Sequence, residues 1–261
     1  MPLTHTVWQG AGDDKIYYQS GIFTSTIKDS VDVNAIDPNG QSVELTQDHT
    51  WFIGSTNVKI WLLSGQISST IKNSYTAAIS GEGTPTGFSF DLAGGTNNSL
   101  VAGNDNDKIW YLSGQVTTTI KDSLDISNAT GSPAESGVGG AALDRDDTYL
   151  VGSSLDTLYR LSGKLTSTVK DSESITLIEG NPTDISWDGI NTPWVGAGND
   201  KLFYQSGNFT STIKDSEDVS TIDAAPRGIS IVGSVYWRTK AIGRSLASAG
   251  GGNNRLKGLA G

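Results

Sequence analysis

Short apolar runs bounded by Gly, Asn, Asp or Ser follow one another along most of the chain. This pattern predicts many short β-strands joined by tight turns, because β-branched and aromatic residues favour strands and Gly supplies the positive φ of hairpin turns. The clearest stretch is predicted to contain four strands, namely Asp184–Asp188, Thr192–Gly196, Lys201–Gln205 and Thr210–Lys214. Alternation in the third of these is imperfect, which is typical of a strand that is buried on both faces.

The same unit is written five times. The segments 15–30, 59–74, 108–123, 157–172 and 201–216 align without gaps. Each contains a Ser-Gly pair, at residues 20/21, 64/65, 113/114, 162/163 and 206/207, so that the period is 44 or 49 residues. A period of this size with four strands is typical of one blade of a β-propeller.

The two ends of the repeat region complement one another. The first strand, Thr6–Gly10, matches the second strand of a blade, whereas Gly228–Val232 matches the first strand of a blade. We therefore predict an all-β, five-bladed β-propeller with four-stranded blades, closed by a C-terminal strand that completes the N-terminal blade. A linear solenoid is the alternative, and the segment Val235–Thr239 is a competing candidate for a second-type strand. The predicted domains are the propeller, residues 1–234, and a basic Gly-rich arm, residues 235–261.

Composition and charge exclude several classes of partner. The chain has no cysteine, so there are no disulfides, and no apolar stretch approaches the ~20 residues that span a bilayer. The start has neither a basic nor an apolar signal region, and we expect assembly in a cytoplasm and no membrane partner. The arm carries a charge of +5 and the rest of the chain −15. An acidic body of this kind argues against nucleic acid as a ligand.

The sequence offers little for catalysis or metal binding. The two histidines, His5 and His49, lie outside the aligned segments, and no hydrolase, zinc-protease or phosphate-loop motif is present. We predict that the protein is not an enzyme and has no catalytic residue or cofactor. The clusters Asn104–Asp107 and Asp144–Asp147 are rich in oxygen ligands, but capping of turns is the favoured interpretation and no metal site is predicted.

Two sets of residues recur once per blade. Lysines on the fourth strand are interpreted as charges on outer strands, with a set of five polar binding sites as the alternative: Lys28, Lys72, Lys121, Lys170 and Lys214. Aromatic residues on the third strand are interpreted as packing between blades, with stacking on a glycan as the alternative: Tyr17, Trp61, Trp110, Tyr159 and Phe203.

The arm differs from everything that precedes it, because it does not repeat. It combines large aromatic residues with cations, which are the residue types enriched at interface hot spots. We predict that it docks on a neighbouring subunit through Tyr236, Trp237, Arg238, Lys240, Arg244, Arg255 and Lys257.

The repeat unit resembles proteins encoded by tailed bacteriophages, particularly marine ones. The resemblance is fullest at residues 184–218 and extends over residues 6–232, although Asp184 stands in the Gly place of the first strand, and the first strands of blades two to four depart from the pattern at Glu44, Phe90 and Leu143. The resemblance implies a virion protein in several copies per particle, such as a tail, fibre or head-decoration component.

Two functions follow as expectations. The first is a virion structural protein whose propeller faces outward, whose arm binds other virion proteins, and which contributes to adhesion through a host-surface glycan. The alternative is a multivalent carbohydrate-binding propeller of the lectin type.

Overall fold

The structure is a computed structural model that describes residues 5–23, 26–46, 49–76, 84–91, 98–103, 107–114, 119–128, 137–144, 146–166, 168–209 and 212–232. In these ranges the first sheet contains β1 (His5–Gly10), β2 (Lys15–Ser20) and β3 (Ile27–Asp32). The second contains β4 (Gly40–Leu45), β5 (His49–Gly54), β6 (Lys59–Ser64) and β7 (Ile71–Thr76). The third contains β8 (Pro85–Asp91), β9 (Asn98–Gly103), β10 (Lys108–Leu112) and β11 (Ile120–Asp125), and a short 3-10 helix, Ile126–Asn128, follows it.

The remaining strands complete the set. The fourth sheet contains β12 (Val138–Leu143), β13 (Asp147–Gly152), β14 (Thr157–Ser162) and β15 (Val169–Ser174). The fifth contains β16 (Pro182–Ile185), β17 (Thr192–Gly196), β18 (Lys201–Gln205) and β19 (Ile213–Asp218), and the last strand is β20 (Pro226–Val232). The predicted all-β fold of antiparallel four-stranded blades is confirmed.

The last strand closes the ring. In blades 2, 4 and 5, the residue after the second strand donates its N–H to the carbonyl of the residue before the first strand, at 2.9–3.2 Å. In blade 1 the N–H of Ala11, just after β1, donates to the carbonyl of Ala225, just before β20, at 2.9 Å. The strand β20 therefore takes the first place in blade 1, antiparallel to β1, as the sequence predicted.

The five first strands line the centre of a closed ring. Neighbouring first strands contact each other all the way round, in the order β20, β4, β8, β12, β16 and back to β20. A linear solenoid has two ends that do not meet, so this arrangement rules out the solenoid alternative. We call the face that carries the links between blades and the turns between second and third strands the connection face. The opposite face, with the other turns, is the hairpin face.

The hydrophobic core is divided among the interfaces between blades. Five clusters of buried residues occur, and each combines side chains from two adjacent blades. The cluster between blades 5 and 1 packs Trp8 and Tyr17 with Val195 and Leu202, and adds Ile229 from β20. Twisted sheets leave a wedge between neighbours, and large aromatic and aliphatic residues fill that wedge.

The Ser-Gly signal of the repeat marks a turn that is held in the same way in every blade. The glycine has a positive φ, between 61° and 89°, which explains the residue type. A hydroxyl from the second strand donates to the carbonyl of that glycine in all five blades. The donors are Thr6, Thr50, Ser99, Thr148 and Thr192.

The fourth strands begin later than the sequence indicated. In blade 5 the prediction was Thr210–Lys214, whereas β19 begins at Ile213 and continues to Asp218. The reason is the width of the preceding turn, in which Gly207 and Phe209 both have a positive φ and the chain closes only where Ser206 donates to the carbonyl of Thr212. All five repeated lysines on the outer strands are exposed, as the outer-strand interpretation expected.

In the part of the chain that the structure describes, a buried carboxylate links each of three blades to the next one. Asp37, in the link between β3 and β4, is fully buried and accepts hydrogen bonds from the N–H groups of Thr56 and Asn57 at 3.1–3.3 Å. It also accepts one from the indole Nε1 of Trp61 at 2.9 Å. Glu179 and Asp223 occupy the same place before β16 and β20 and bind the corresponding turns of blades 5 and 1 at 2.7–3.1 Å.

The same link is tied to the blade that it leaves. Val33 donates its N–H to the carbonyl of Asp14, in the turn of blade 1, four residues before Asp37 binds the turn of blade 2. A Cβ at Gly54 would overlap the Asp37 carboxyl group, so the turn must carry glycine there for the two to meet. Each such link therefore holds two neighbouring turns at a fixed separation on the connection face.

At each blade interface, one residue of the third strand has the same polar or apolar character as its partner on the fourth strand of the preceding blade. Gln19 of β2 donates to both carboxylate oxygens of Glu217 on the preceding blade at 3.1 Å, and Gln205 donates to one carboxylate oxygen of Glu173. At the other three interfaces the equivalent third-strand residue is leucine, packed in the same cluster as an apolar fourth-strand residue. These pairs are Leu63 with Val31, Leu112 with Tyr75, and Leu161 with Leu124.

We predict that Asp37→Ala destabilises the fold by about 2–4 kcal/mol, because it leaves buried N–H groups of Thr56, Asn57 and Trp61 without an acceptor. The free energy of unfolding is measured by urea denaturation followed by circular dichroism. The control is Asp29→Ala, which removes an exposed carboxylate on β3 and should change the free energy by less than about 0.5 kcal/mol. Equal losses for the two variants would contradict the prediction.

Candidate functional site

The first strands carry a bulge at the same place near their start. The pairing with the second strand shifts after Gly40, Pro85, Val138 and Pro182, which leaves the next residue outside the regular ladder. A bulge of this kind turns a side chain away from its normal direction, and bulges are frequent beside binding sites. The bulge position and its equivalent on β20 form what we call the mouth level: Gln41, Thr86, Gly139, Thr183 and Arg227.

The mouth level surrounds a cavity at the centre of the connection face. Its volume is about 390 Å³, and all five blades contribute to its lining. Besides the mouth level, it is lined by Ser55 and Ser153 from the turns and by Asn181 before β16. Clefts of this size are typical of small-molecule sites. The lining is mainly hydroxyl and amide groups, and Arg227 is its one charged member.

Two threonines of the mouth level fasten neighbouring first strands to each other. The hydroxyl of Thr86 donates to the carbonyl of Val138 on the next blade at 2.6 Å. The hydroxyl of Thr183 donates to the carbonyl of Arg227 at 3.0 Å. The second of these bonds fixes the backbone that carries Arg227, so the position of its side chain depends on the closed ring.

The level directly below the mouth closes the cavity. Its members are Ser42, Gly87, Gly140, Asp184 and Gly228. A Cβ at Gly87 would lie 2.6 Å from the Cα of Gly140, and one at Gly228 would lie 2.6 Å from the N of Val43, so the backbones of neighbouring blades meet here. Close backbone approach of this kind requires glycine. We call this set the floor level.

Ser42 and Asp184 are the two members of the floor level that are not glycine, and the Asp184 carboxyl group crosses the centre to reach Ser42. It accepts hydrogen bonds from the hydroxyl of Ser42 on blade 2 at 2.9 Å and from the N–H of Ile229 on blade 1 at 3.0 Å. Burial raises the pKa of Asp184 well above its ordinary value, and the nearby Glu44 carboxylate adds to the increase. This is the residue that the sequence singled out as standing in a Gly place, and the structure explains it as a bond across the ring.

Glu44 lies two residues beyond the floor level on β4. Desolvation raises its pKa to about 8, although a hydrogen bond to Ser230 acts in the opposite direction. Two acidic groups, Asp184 and Glu44, thus lie deep in the centre of the ring, where the protonated forms are favoured.

The aromatic residues that the sequence offered as a glycan site lie outside the central cavity. The five aromatic rings of the third strand are only 2–8% exposed and belong to the clusters between blades. Rings at this depth have no open face for a sugar, which favours packing between blades over glycan stacking at Tyr17, Trp61, Trp110, Tyr159 and Phe203. Two of these side chains donate hydrogen bonds to carboxylates at the connection face. Trp61 donates to Asp37, and the Tyr17 hydroxyl donates to Asp13 at 2.5 Å.

The two histidines belong to the repeat after all. His5 and His49 begin the second strands of blades 1 and 2, at the hairpin face, where the other blades have Asn98, Asp147 and Asn191. The Nε2 atom of His49 is 2.5 Å from the Nζ atom of Lys72. Partial burial lowers the pKa of His5, and Lys28 acts in the same direction.

The oxygen-rich clusters do not form a metal site in the described part of the chain. There, no group of three or more His, Asp or Glu residues is arranged to hold a metal ion. The carboxylate of Asp147 is occupied by Arg160 at 2.8 Å and by Lys170 at 3.1 Å. In the other cluster, residues 104–106 lie outside the described ranges, as do residues 235–261, which include every predicted docking residue of the arm and the competing strand Val235–Thr239.

Sequence reasoning missed the mouth level because its members differ in type. Gln, Thr, Gly, Thr and Arg share no chemistry that a repeat alignment detects. A usable signal was present, since Arg227 stands in the first strand of blade 1 at the place where the other blades have no charge.

No described helix is long and apolar enough to span a bilayer.

We predict that Glu44→Gln stabilises the protein at pH 8 by about 1–3 kcal/mol and has little effect near pH 4, since each pKa unit corresponds to about 1.4 kcal/mol. The folded-state pKa of about 8 lies above the ordinary value of 4.5, so the stability contributed by the protonated group is lost as pH rises between these values. The free energy of unfolding is measured at both pH values. Asp215→Asn, on the exposed outer strand, is the control, and equal pH dependence of Glu44→Gln and wild type would contradict the prediction.

Comparison with known proteins supports the fold and gives no family. No protein-family model matches the chain, and no curated protein sequence matches it. A chain in the crystal structure of a nidogen/laminin complex superposes with a TM-score of 0.54 at 11% identity, over 88% of this chain and 99% of that one. Virginiamycin B lyase from Staphylococcus aureus gives a TM-score of 0.47 at 18% identity, over 86% of this chain and 69% of that one. A chain in the structure of a humanized mutant of Chaetomium thermophilum Polycomb Repressive Complex 2 gives 0.44 at 9%, over 78% and 47%. The first likeness concerns the propeller fold alone, and the lower scores of the others add nothing to it.

Proposed function

We propose that this chain is a structural and binding component of a bacteriophage particle, with residues 235–261 as its attachment and the connection face turned outward. The observation that carries the proposal is the direction of the last strand. β20 begins at Pro226 on the connection face and runs antiparallel to β1, so Val232 lies at the hairpin face. The arm follows three residues later. An arm that docks from this side leaves the central cavity facing away from the docking partner.

The construction of the ring supports a scaffold role. The links at Asp37, Glu179 and Asp223 join neighbouring turns through buried hydrogen bonds. Their carboxylates are at most 4% exposed, and buried hydrogen bonds of this kind restrict relative movement of the blades. The phage resemblance of the repeat, fullest in residues 184–218, supplies the biological setting of the proposal.

Charge supports the role of the arm. Its +5 contrasts with −15 on the remainder of the chain, so the two parts attract acidic and basic partners respectively. Complementary charge of this kind steers association and fixes orientation more than it adds affinity. The aromatic residues Tyr236 and Trp237 provide the apolar anchor that charge alone lacks.

A multivalent lectin is the second candidate, and the hairpin face favours it. In three blades the repeated lysine lies over a third-strand tyrosine ring, at 5.9 Å for Lys28, 5.8 Å for Lys121 and 5.4 Å for Lys214. The hairpin-face end of each of these blades also has a histidine or an asparagine at the start of the second strand. The rings themselves are covered, since Tyr18 is 9% and Tyr204 is 7% exposed, so it is the recurring cation beside a hydrogen-bonding side chain that offers contacts to sugar hydroxyl or carboxylate groups. Leu62 and Arg160 replace the tyrosine in the other two blades, so the five positions are not identical.

We predict that deletion of residues 235–261 abolishes incorporation into phage particles and leaves the propeller folded. Incorporation is measured by immunoblotting of particles purified from infected cells, and folding by the thermal unfolding midpoint. The control replaces residues 235–261 with a neutral Gly-Ser segment of equal length, which should also fail to incorporate. Normal incorporation of the truncated chain would refute the docking role.

The same truncated protein separates the two candidates. Under the lectin hypothesis it still binds on a glycan array, because the arm is not part of any sugar site. Wild-type protein that incorporates into particles and binds no glycan on the array would eliminate the lectin.

A further inference from the structure

The central cavity has the chemistry of a site for one small polar anion. Around its rim, the amides of Gln41 and Asn181 and the hydroxyls of Ser55 and Ser153 present donors and acceptors. A single guanidinium, from Arg227, supplies the positive charge. Ring-shaped molecules with many hydroxyl groups need such alternating donors and acceptors, and a carboxylate needs the cation.

Arg227 has a donor that the protein itself does not satisfy. Its Nε atom is buried and has no hydrogen-bond partner among the described residues. A buried donor without an acceptor is costly, so native structures rarely keep one unless water or a ligand completes it. A carboxylate that approaches the edge of the guanidinium accepts from Nε–H and from one terminal N–H together, which is the bidentate geometry that arginine favours.

The floor level sets the size and polarity of the occupant. Backbone contacts at Gly87, Gly140 and Gly228 close the centre of the ring below the cavity, so a long chain cannot pass through it. Burial raises the pKa of Asp184, which favours an uncharged floor and reduces the repulsion of an anion. A volume of about 390 Å³ then suits a single sugar ring with its substituents.

The orientation of the cavity is consistent with recognition of a chain end. Arg227 and the amides lie at the connection-face end of the ring, and among the described residues the floor level closes the cavity on the opposite side. A sugar at the end of a polysaccharide can enter such a depression, whereas a sugar within a chain has substituents on both sides.

We propose that this cavity binds an acidic sugar, free or as the terminal unit of a polysaccharide, with its carboxylate on Arg227 and its hydroxyl groups on the rim amides and hydroxyls. The proposal goes beyond the attachment function and does not depend on it. It also differs from the lectin candidate, because it places one ligand per chain at the connection face instead of several at the hairpin face.

The test uses purified full-length protein and isothermal titration calorimetry with three probes: glucuronate, its methyl ester and a glucuronate-terminated oligosaccharide. We expect glucuronate to bind at one site per chain and the ester, which lacks the charge, to bind at least about tenfold more weakly. Arg227→Gln should weaken glucuronate binding at least about tenfold. Arg227→Lys should weaken it several-fold, since it keeps the charge and loses the bidentate geometry.

The control variant is Lys201→Gln, which removes a cation on the same face but outside the cavity lining. It should leave binding unchanged, and thermal unfolding midpoints confirm that every variant is folded. Binding of the oligosaccharide but not of free glucuronate would assign the site to polysaccharide ends. No binding of either probe, equal affinity for glucuronate and its ester, or binding that Arg227→Gln leaves intact would overturn the proposal. Failure of particle incorporation would not affect this result, because the assay uses the isolated protein.

Discussion

The fold depends on a buried carboxylate that joins one blade to the next. Asp37, Glu179 and Asp223 each accept hydrogen bonds from the backbone of a turn that belongs to the following blade. A carboxylate in this position must be fully paired, because an unpaired one would be expelled from the interior. The strand that leads into the bound turn must have glycine at positions 10, 54 and 196, because a Cβ at Gly10, Gly54 or Gly196 would overlap the carboxylic side chain. The linking acid and the glycine must therefore occur together at each of these three interfaces, and together they set the separation of the two blades.

That constraint at the connection face allows variation at the centre. The linking carboxylates fix the separation of neighbouring turns on the connection face. The backbones of the first strands come into contact at the glycines of the floor level. The bulge residue above the floor is outside the regular ladder, so its side chain is free of the constraint that pairing with the second strand imposes. Thr86 and Thr183 bond to the next first strand from this position, whereas Gln41 and Arg227 line the cavity, so that one symmetric position of the repeat contributes to an asymmetric site.

The sequence predicted the features that follow from the recurrence of one unit along the chain. Five aligned segments and complementary half-repeats were sufficient for five blades and for the closure by β20, and the second and third strands of blade 5 were predicted with their observed ends at Thr192–Gly196 and Lys201–Gln205. The start of β19 was missed because a positive φ at a residue such as Phe209 leaves no mark in residue type. The linking carboxylates were missed because they lie outside the aligned segments and alternate between Asp and Glu. The cavity was missed because a bulge shifts the register by one residue, and only the paired backbone shows which side chains then meet.

The two faces of the ring differ in what they inherit from the repeat. On the hairpin face the hydroxyl-to-glycine bond recurs in all five blades, and the lysines recur with it, so that these two features are common to every blade although the residues beside them differ. On the connection face a single blade provides the cation Arg227, and one blade provides the carboxyl group of Asp184 that crosses to Ser42. A surface that repeats is suited to contacts of moderate affinity at several points, whereas one cation in a closed depression selects a single ligand by charge and shape. The departures from the repeat therefore supply the asymmetric groups of the connection face on which the proposed binding of an acidic sugar rests.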